Sequence, residues 1–188
     1  MEFEFYVKNN QKISELITEL IQKGVKYANI MLEPKVYEDS FSLPSGFNII
    51  GCDKNLTKII ILDKINIHIG SSIKNLTLEF SNFDLTQNIE LISINTKLLD
   101  LNEDLSILEV LLENLNFKLY NFISGIVFNL DSGILNLKNV SLKNQINEEL
   151  DEEMYYSNIL FKTGYFSFLN LENTNIKYET VLDNTFMF

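Results

Sequence analysis

Residues 28–61, ANIMLEPKVYEDSFSLPSGFNIIGCDKNLTKIII, read as two short β-rich layers separated by small turns. The runs NIML, DSFSL, FNIIG and KIIIL are rich in Ile, Leu and Phe, and NIHIG follows them; runs of this length bounded by turn residues are strand-like. Pro34, Pro44, Gly46 and Gly51 punctuate them. Similar layers recur towards the C-terminus. The pattern predicts an all-β fold, a short right-handed parallel β-helix.

Working outward from that stretch, four later segments superpose: IKNLTLEF (Ile73–Phe80), LENLNFKL (Leu112–Leu119), LKNVSLKN (Leu137–Asn144) and LENTNIKY (Leu171–Tyr178). Their asparagines fall at 75, 114, 139 and 173, at intervals of 39, 25 and 34 residues. Unequal intervals of this size suit successive coils of one solenoid joined by loops of different length. Pairs such as Leu76 with Leu78, Leu115 with Phe117 and Val140 with Leu142 alternate with polar residues, as in a strand with one face on a core. An asparagine at a repeated corner tolerates the left-handed backbone conformation and can hydrogen-bond its counterparts above and below. Stacked corner asparagines are therefore expected.

A solenoid leaves its core open at both ends, so it needs caps. After a strand-like piece at Glu2–Lys8, residues Asn10 to Gly24 form the one clear helical pattern, with Ile13, Leu16, Ile17, Leu20 and Ile21 on a single stripe. Asn9 or Asn10 is expected to supply the N-cap and Gly24 a left-handed C-cap. The whole chain, 1–188, reads as one domain. Residues 1–26 form an N-terminal strand and capping helix, 27–180 the coils with an acidic insertion near 143–158, and 181–188 an apolar tail, VLDNTFMF.

Composition narrows the function. The net charge is −11, and residues 95–188 hold 6 lysines against 14 acids. All 15 basic residues are lysine, so the planar fork that best grips phosphate, guanine and carboxylate is missing and direct nucleic-acid binding is disfavoured. No apolar run is long enough to span a membrane, and the start, MEFEFYVKNNQ, is unlike a secretion signal. Cys52 is the sole cysteine, which removes a disulfide framework and a cysteine zinc site. The expectation is a cytoplasmic protein, in its own cell or a host.

From Ser14 to Ile61 the chain resembles the opening of pectin lyase-like proteins, where a helix precedes a strand with Pro, a Tyr-Glu pair, a second strand, a small turn and an apolar-Ile-Gly element. Here these are the helix to Gly24, Ile30–Pro34, Tyr37-Glu38, Phe41–Leu43, Pro44–Gly46 and Ile49–Gly51, with Lys35 where that superfamily has glycine. The resemblance implies the β-helix fold. Its enzymes cleave or de-esterify acidic polysaccharides with clustered aspartates, often with calcium, and an arginine or lysine. Those clusters and the arginine have no counterpart here, so no catalytic residue is assigned and a non-enzyme is expected.

Other chemical candidates are weak. Asp100, Asn102 and Asp104 start like a calcium loop, but Leu105 and Leu111 occupy the required glycine and bidentate glutamate positions, which favours a polar turn. His68, the sole histidine, lacks a recognisable nucleophile and acid, and Cys52 is expected to be buried as a small apolar residue. No metal or cofactor is therefore expected.

The feature left over is the insertion KNQINEELDEEMYYSN. A solvated loop is its bland explanation. Its functional reading is an acidic arm, Glu148, Glu149, Asp151, Glu152 and Glu153, with Tyr155 and Tyr156 as anchors, that meets a basic protein surface. The leading expectation is thus a non-catalytic binding protein, in one form an inhibitor or decoy of a basic nucleic-acid-binding protein of the phage or mobile-element type. One alternative is carbohydrate binding or a degenerate lyase or esterase, using Tyr37, Tyr120, Tyr155, Tyr156, Tyr165 and Tyr178 as a sugar platform. Another is a structural role, as a trimer-forming or capping segment of a larger assembly such as a phage fibre.

Overall fold

A computed structural model of the chain describes residues 3–80, 89–95, 109–122, 124–146, 157–164 and 167–180. The described residues form mostly parallel β-structure with one short helix, which places the protein in the all-β class. After β1 (Glu4–Tyr6) and α1 (Ile13–Gln22), the strands come in groups. These are β2 (Ala28–Leu32), β3 (Val36–Asp39) and β4 (Ser42–Leu43), then β5 (Phe47–Gly51), β6 (Lys58–Ile61) and β7 (Ile65–His68). Next come β8 (Ser71–Phe80) and β9 (Ile89–Asn95), then β10 (Glu109–Tyr120) and β11 (Ser124–Leu130). The last groups are β12 (Gly133–Lys138), β13 (Ser141–Ile146) and β14 (Ser157–Thr163), with β15 (Ser167–Glu172) and β16 (Asn175–Thr180).

All pairings between these strands are parallel. The larger sheet has two limbs: β1-β2-β5-β8-β10-β12-β15, and β3-β6-β8-β10-β13-β16, with the long strands β8 and β10 belonging to both. The smaller sheet runs β4-β7-β9-β11-β14. Ser71 pairs with Val110, Glu109 with Ile134, and Gly133 with Ser167, so the register advances by 39, 25 and 34 residues. These are the intervals between the repeated asparagines.

Those asparagines do what the pattern predicts. Asn75, Asn114, Asn139 and Asn173 all have positive φ, between 49° and 58°. The Asn114 side-chain amide donates to Asn75 Oδ1 at 2.9 Å, and that of Asn173 to Asn139 Oδ1 at 3.2 Å. The backbone excursion has a packing consequence. In β10, Leu112 and Leu115 both point into the core with Glu113 and Asn114 outside between them, so the inside-outside alternation resets at the corner. One extra outward residue lets both limbs bury their apolar rows.

The inward rows are nearly solvent-free. In register, Ile30, Ile49, Ile73, Leu112 and Leu137 stack along the first limb, each 2 % exposed or less. Phe128 in the smaller sheet meets Phe117 edge-on at 5.4 Å and stacks on Phe161 at 5.2 Å. Each fully buried apolar side chain of this kind is worth about 1.5–3 kcal/mol, with a further ~1 kcal/mol for a well-oriented aromatic pair. Leu171 continues the first-limb row on β15, yet it is 51 % exposed.

The helix is shorter than its sequence pattern, and its cap differs. Ile13, Leu16, Ile17 and Leu20 join the core, whereas Ile21 lies 52 % exposed. The N-cap is Lys12, not Asn9 or Asn10. Asn10 instead takes a positive φ in the preceding turn. Asp39, at the end of β3 and buried, accepts from the Ser14 amide at 2.8 Å and from Ser14 Oγ at 3.0 Å, while Glu15 accepts from the Lys12 amide at 3.0 Å. The cap donors are thus satisfied partly from another element, which sequence spacing does not reveal. Gly24, with φ of 74°, closes the C-terminus as expected, its amide bonding Ile21 O and that of Val25 bonding Leu20 O.

Candidate functional site

The expected partner-binding residues, Glu148, Glu149, Asp151, Glu152, Glu153, Tyr155 and Tyr156, lie outside the described residues, as do Asp100, Asn102 and Asp104. What the structure adds is their attachment. Residues 147–156 join β13 to β14, the passage from the second limb to the smaller sheet, and residues 81–88 make the same passage from β8 to β9.

Charge divides along the same line. The described strands hold 7 lysines and 9 acids, close to neutral at −2, and the remaining −9 belongs to the rest of the chain, with five acids and no lysine in residues 147–156. Along the first limb the outward row reads Lys74, Glu113, Lys138, Glu172 in successive strands. It forms ion pairs at 3.3 Å for Lys74–Glu113 and 3.8 Å for Lys138–Glu172. Lys58 and Glu79 pair at 2.7 Å on the second limb.

The corner between β5 and β6 holds the other chemical candidates. Cys52 is exposed, not buried, because the chain turns outward after Gly51. A Cβ on Gly51 would stand 2.3 Å from Asn75 O, so close approach of the next strand demands glycine there. Cys52 Sγ lies 3.2 Å from Thr57 Oγ1, and Thr57, fully buried, also bonds Glu33 O at 3.3 Å. Thr77 repeats the device one strand on, bonding Lys54 O at 2.6 Å. These threonines anchor corners through backbone carbonyls, and nothing in their sequence spacing announces it.

Asn144 is a second missed residue. It is fully buried on the inner side of β13, where its side chain donates to Phe122 O at 2.8 Å and accepts from the Phe122 amide at 3.4 Å. That pair of bonds ties the β10–β11 turn to the next strand. The signal was only a polar residue at an inward position of the alternation.

An open hollow of about 660 Å³ lies between the Asn9–Lys12 turn and β3, lined in part by Lys12, Lys35, Tyr37 and Asp39. Tyr37 is buried, which removes it from the expected sugar platform. Its hydroxyl accepts from the Glu33 amide at 2.9 Å, and the Lys35 ammonium sits 4.9 Å from its ring centroid. Burial pushes the Tyr37 hydroxyl above its ordinary value, against the lowering effect of the Glu33 amide. Asp39 is already shared among the Ser14 amide, Ser14 Oγ and the Ser40 amide. The polar groups here serve the fold.

Tyr120 is half-buried on β10, Tyr178 lies on β16, and Tyr155, Tyr156 and Tyr165 fall outside the described residues. His68 ends β7 half-buried, and its carbonyl accepts the Ser71 hydroxyl. Among the described residues no group of three or more His, Cys, Asp or Glu could hold a metal ion, and no helix is long and apolar enough to cross a membrane. No protein-family model and no curated protein matches the chain.

Proposed function

We propose that the chain winds as a short right-handed parallel β-helix of the pectin lyase-like kind and serves as a non-catalytic binding protein in a reducing cytoplasm. It engages a basic protein partner through the acidic segments borne on its strands, in one form as an inhibitor or decoy of a nucleic-acid-binding protein. The observation that carries this reading is the division of charge, with near-balance in the paired strands and nine net negative charges in the rest of the chain, five of the acids within residues 147–156. Clustered carboxylates attract basic surfaces by the same long-range field that draws phosphates, and a rigid frame reduces the ordering cost of presenting them. The exposed thiol of Cys52 is compatible with a reducing compartment.

The test compares affinity capture by the wild type and by the E148Q/E149Q/D151N/E152Q/E153Q variant at about 50 and 300 mM salt. A partner with a basic surface should be retained by the wild type at low salt, lost at high salt and at least tenfold depleted on the variant. Capture that ignores both salt and the five substitutions would overturn the proposal.

A further inference from the structure

The first limb ends on β15, and among the described residues no strand pairs with its outer edge. An open edge presents a row of backbone donors and acceptors to any chain able to pair with it, and folds commonly blunt such edges with lysine or proline. The β15 sequence, SFLNLE, has neither. Its Phe168 is 63 % exposed, and Leu171, which continues the inward row, is 51 % exposed. At the other end of the strand order α1 adds Ile13, Leu16, Ile17 and Leu20 to the core. Among the described residues no helix does the same beside β15.

The rows that reach this edge specify what would continue them. In register, β12 and β15 set Ile134 beside Phe168, Leu135 beside Leu169, Asn136 beside Asn170, Leu137 beside Leu171 and Lys138 beside Glu172. The charged row runs Lys74, Glu113, Lys138, Glu172, each opposite in sign to its neighbours, so a strand added to β15 meets it at an acid. Glu172 is paired on its inner side with Lys138 at 3.8 Å, and its side chain is 63 % exposed. The amide row has a direction. Asn48 donates to Asn29 at 2.9 Å, Ser72 to Asn48 at 2.7 Å and Asn170 to Asn136 at 2.7 Å, each time from the later strand to the earlier. Asn170 Oδ1 is therefore an acceptor left at the edge, where the next strand must supply a donor. The inward row ends on Leu169 and Leu171 and asks for apolar side chains at alternate positions.

We infer that the outer edge of β15 is a docking site for one extended strand of a partner protein, added in parallel register and reading apolar, apolar, amide or other donor, apolar, lysine or arginine. The cation lies over Glu172, the donor over Asn170 Oδ1, and the second and fourth residues cover Leu169 and Leu171. Residues Ile134–Lys138 of β12 have this same pattern and already fit the opposite edge of β15. Charge decides between a foreign strand and a second copy of this chain. Residues 147–188 hold 2 lysines against 8 acids, so two such ends would bring like charge together, whereas a basic strand is attracted. The edge shares with the proposed function a partner of basic character, but it contains none of residues 147–156, so the two readings fail separately.

The experiment uses the full chain and a fluorescein-labelled, end-blocked peptide of the β12 sequence, SGILNLKN, with binding followed by fluorescence anisotropy at about 50 mM salt, where charge pairs are weakly screened. The peptide SGILNLEN should bind the wild type about fivefold more weakly, and E172K should reverse that order by a similar factor. Circular dichroism checks that E172K is folded. Amide hydrogen exchange of the wild type, which needs no variant, should show β15 slowed about fivefold or more by saturating SGILNLKN while β1, the other edge strand, is unchanged. Wild type that binds neither peptide, or a preference that E172K does not reverse, overturns the inference. So does light scattering that shows a concentration-dependent dimer dissociated by the peptide, which would give the edge to a second copy. An L182S/F186S/F188S variant that binds the peptide at least tenfold more tightly would overturn it too, giving the edge to residues 181–188. Binding that is lost on the E148Q/E149Q/D151N/E152Q/E153Q variant and unchanged on E172K would place the peptide on the acidic arm, which overturns the inference and leaves the proposed function standing.

Discussion

Asn114 shows how much a single side chain contributes at a corner. It holds φ at 55°, resets the alternation between Glu113 and Leu115, and donates to Asn75 at 2.9 Å. Asn114→Ala should destabilise by about 1–2 kcal/mol, since a hydrogen bond worth about 1 kcal/mol is lost and alanine lacks the local side-chain bonding by which asparagine tolerates the left-handed conformation. Asn114→Gly keeps the backbone free to turn and should cost clearly less. Urea midpoints of the two variants separate the effects, and equal losses would show that the ladder bond dominates. These corners were legible because left-handed preference is local chemistry. Thr57, Thr77 and Asn144 were not, because each acts on a carbonyl or amide 22 to 24 residues away.

At the level of elements, α1 had a legible face and an illegible start. Its stripe follows from 3.6-residue periodicity, but Ile21 falls at the rim, and the first turn is capped by Asp39 from β3. Asp39→Ala should cost about 1–2 kcal/mol, and more if the Ser14 amide finds no water. Asp39→Asn, which keeps an acceptor for that amide, should recover at least half of the loss in the same denaturation assay. A cap contributed by the helix's own turn would leave both variants near wild type. The strands divide similarly: their apolar alternation was readable, while the pairing of β8 and β10 with strands on both limbs follows from long-range register.

For the whole molecule, stability should be graded along the strand order. The core rows are solvent-free through β8 and β10, whereas on β15 Phe168 is 63 % and Leu171 51 % exposed. Local opening follows the density of buried apolar contacts, so amides of β8 and β10 should exchange hydrogen only through global unfolding. Those of β15 and β16 should exchange at least a hundredfold faster. Uniform protection across the described strands would mean that the outermost ones are covered in solution by something beyond the described residues.

By itself the sequence determined the all-β class, the helix that precedes the coils, the corner asparagines and the register advances of 39, 25 and 34 residues, because each depends on periodicity or on one residue's backbone preference. Only the tertiary structure decided which residues become neighbours. It buried Tyr37, exposed Cys52, gave the helix its cap from Asp39 and separated a near-neutral strand frame from the acidic segments. Parallel pairing joins residues 19 to 39 positions apart, and at that separation the identity of a neighbour is fixed by register and loop length, not by local pattern.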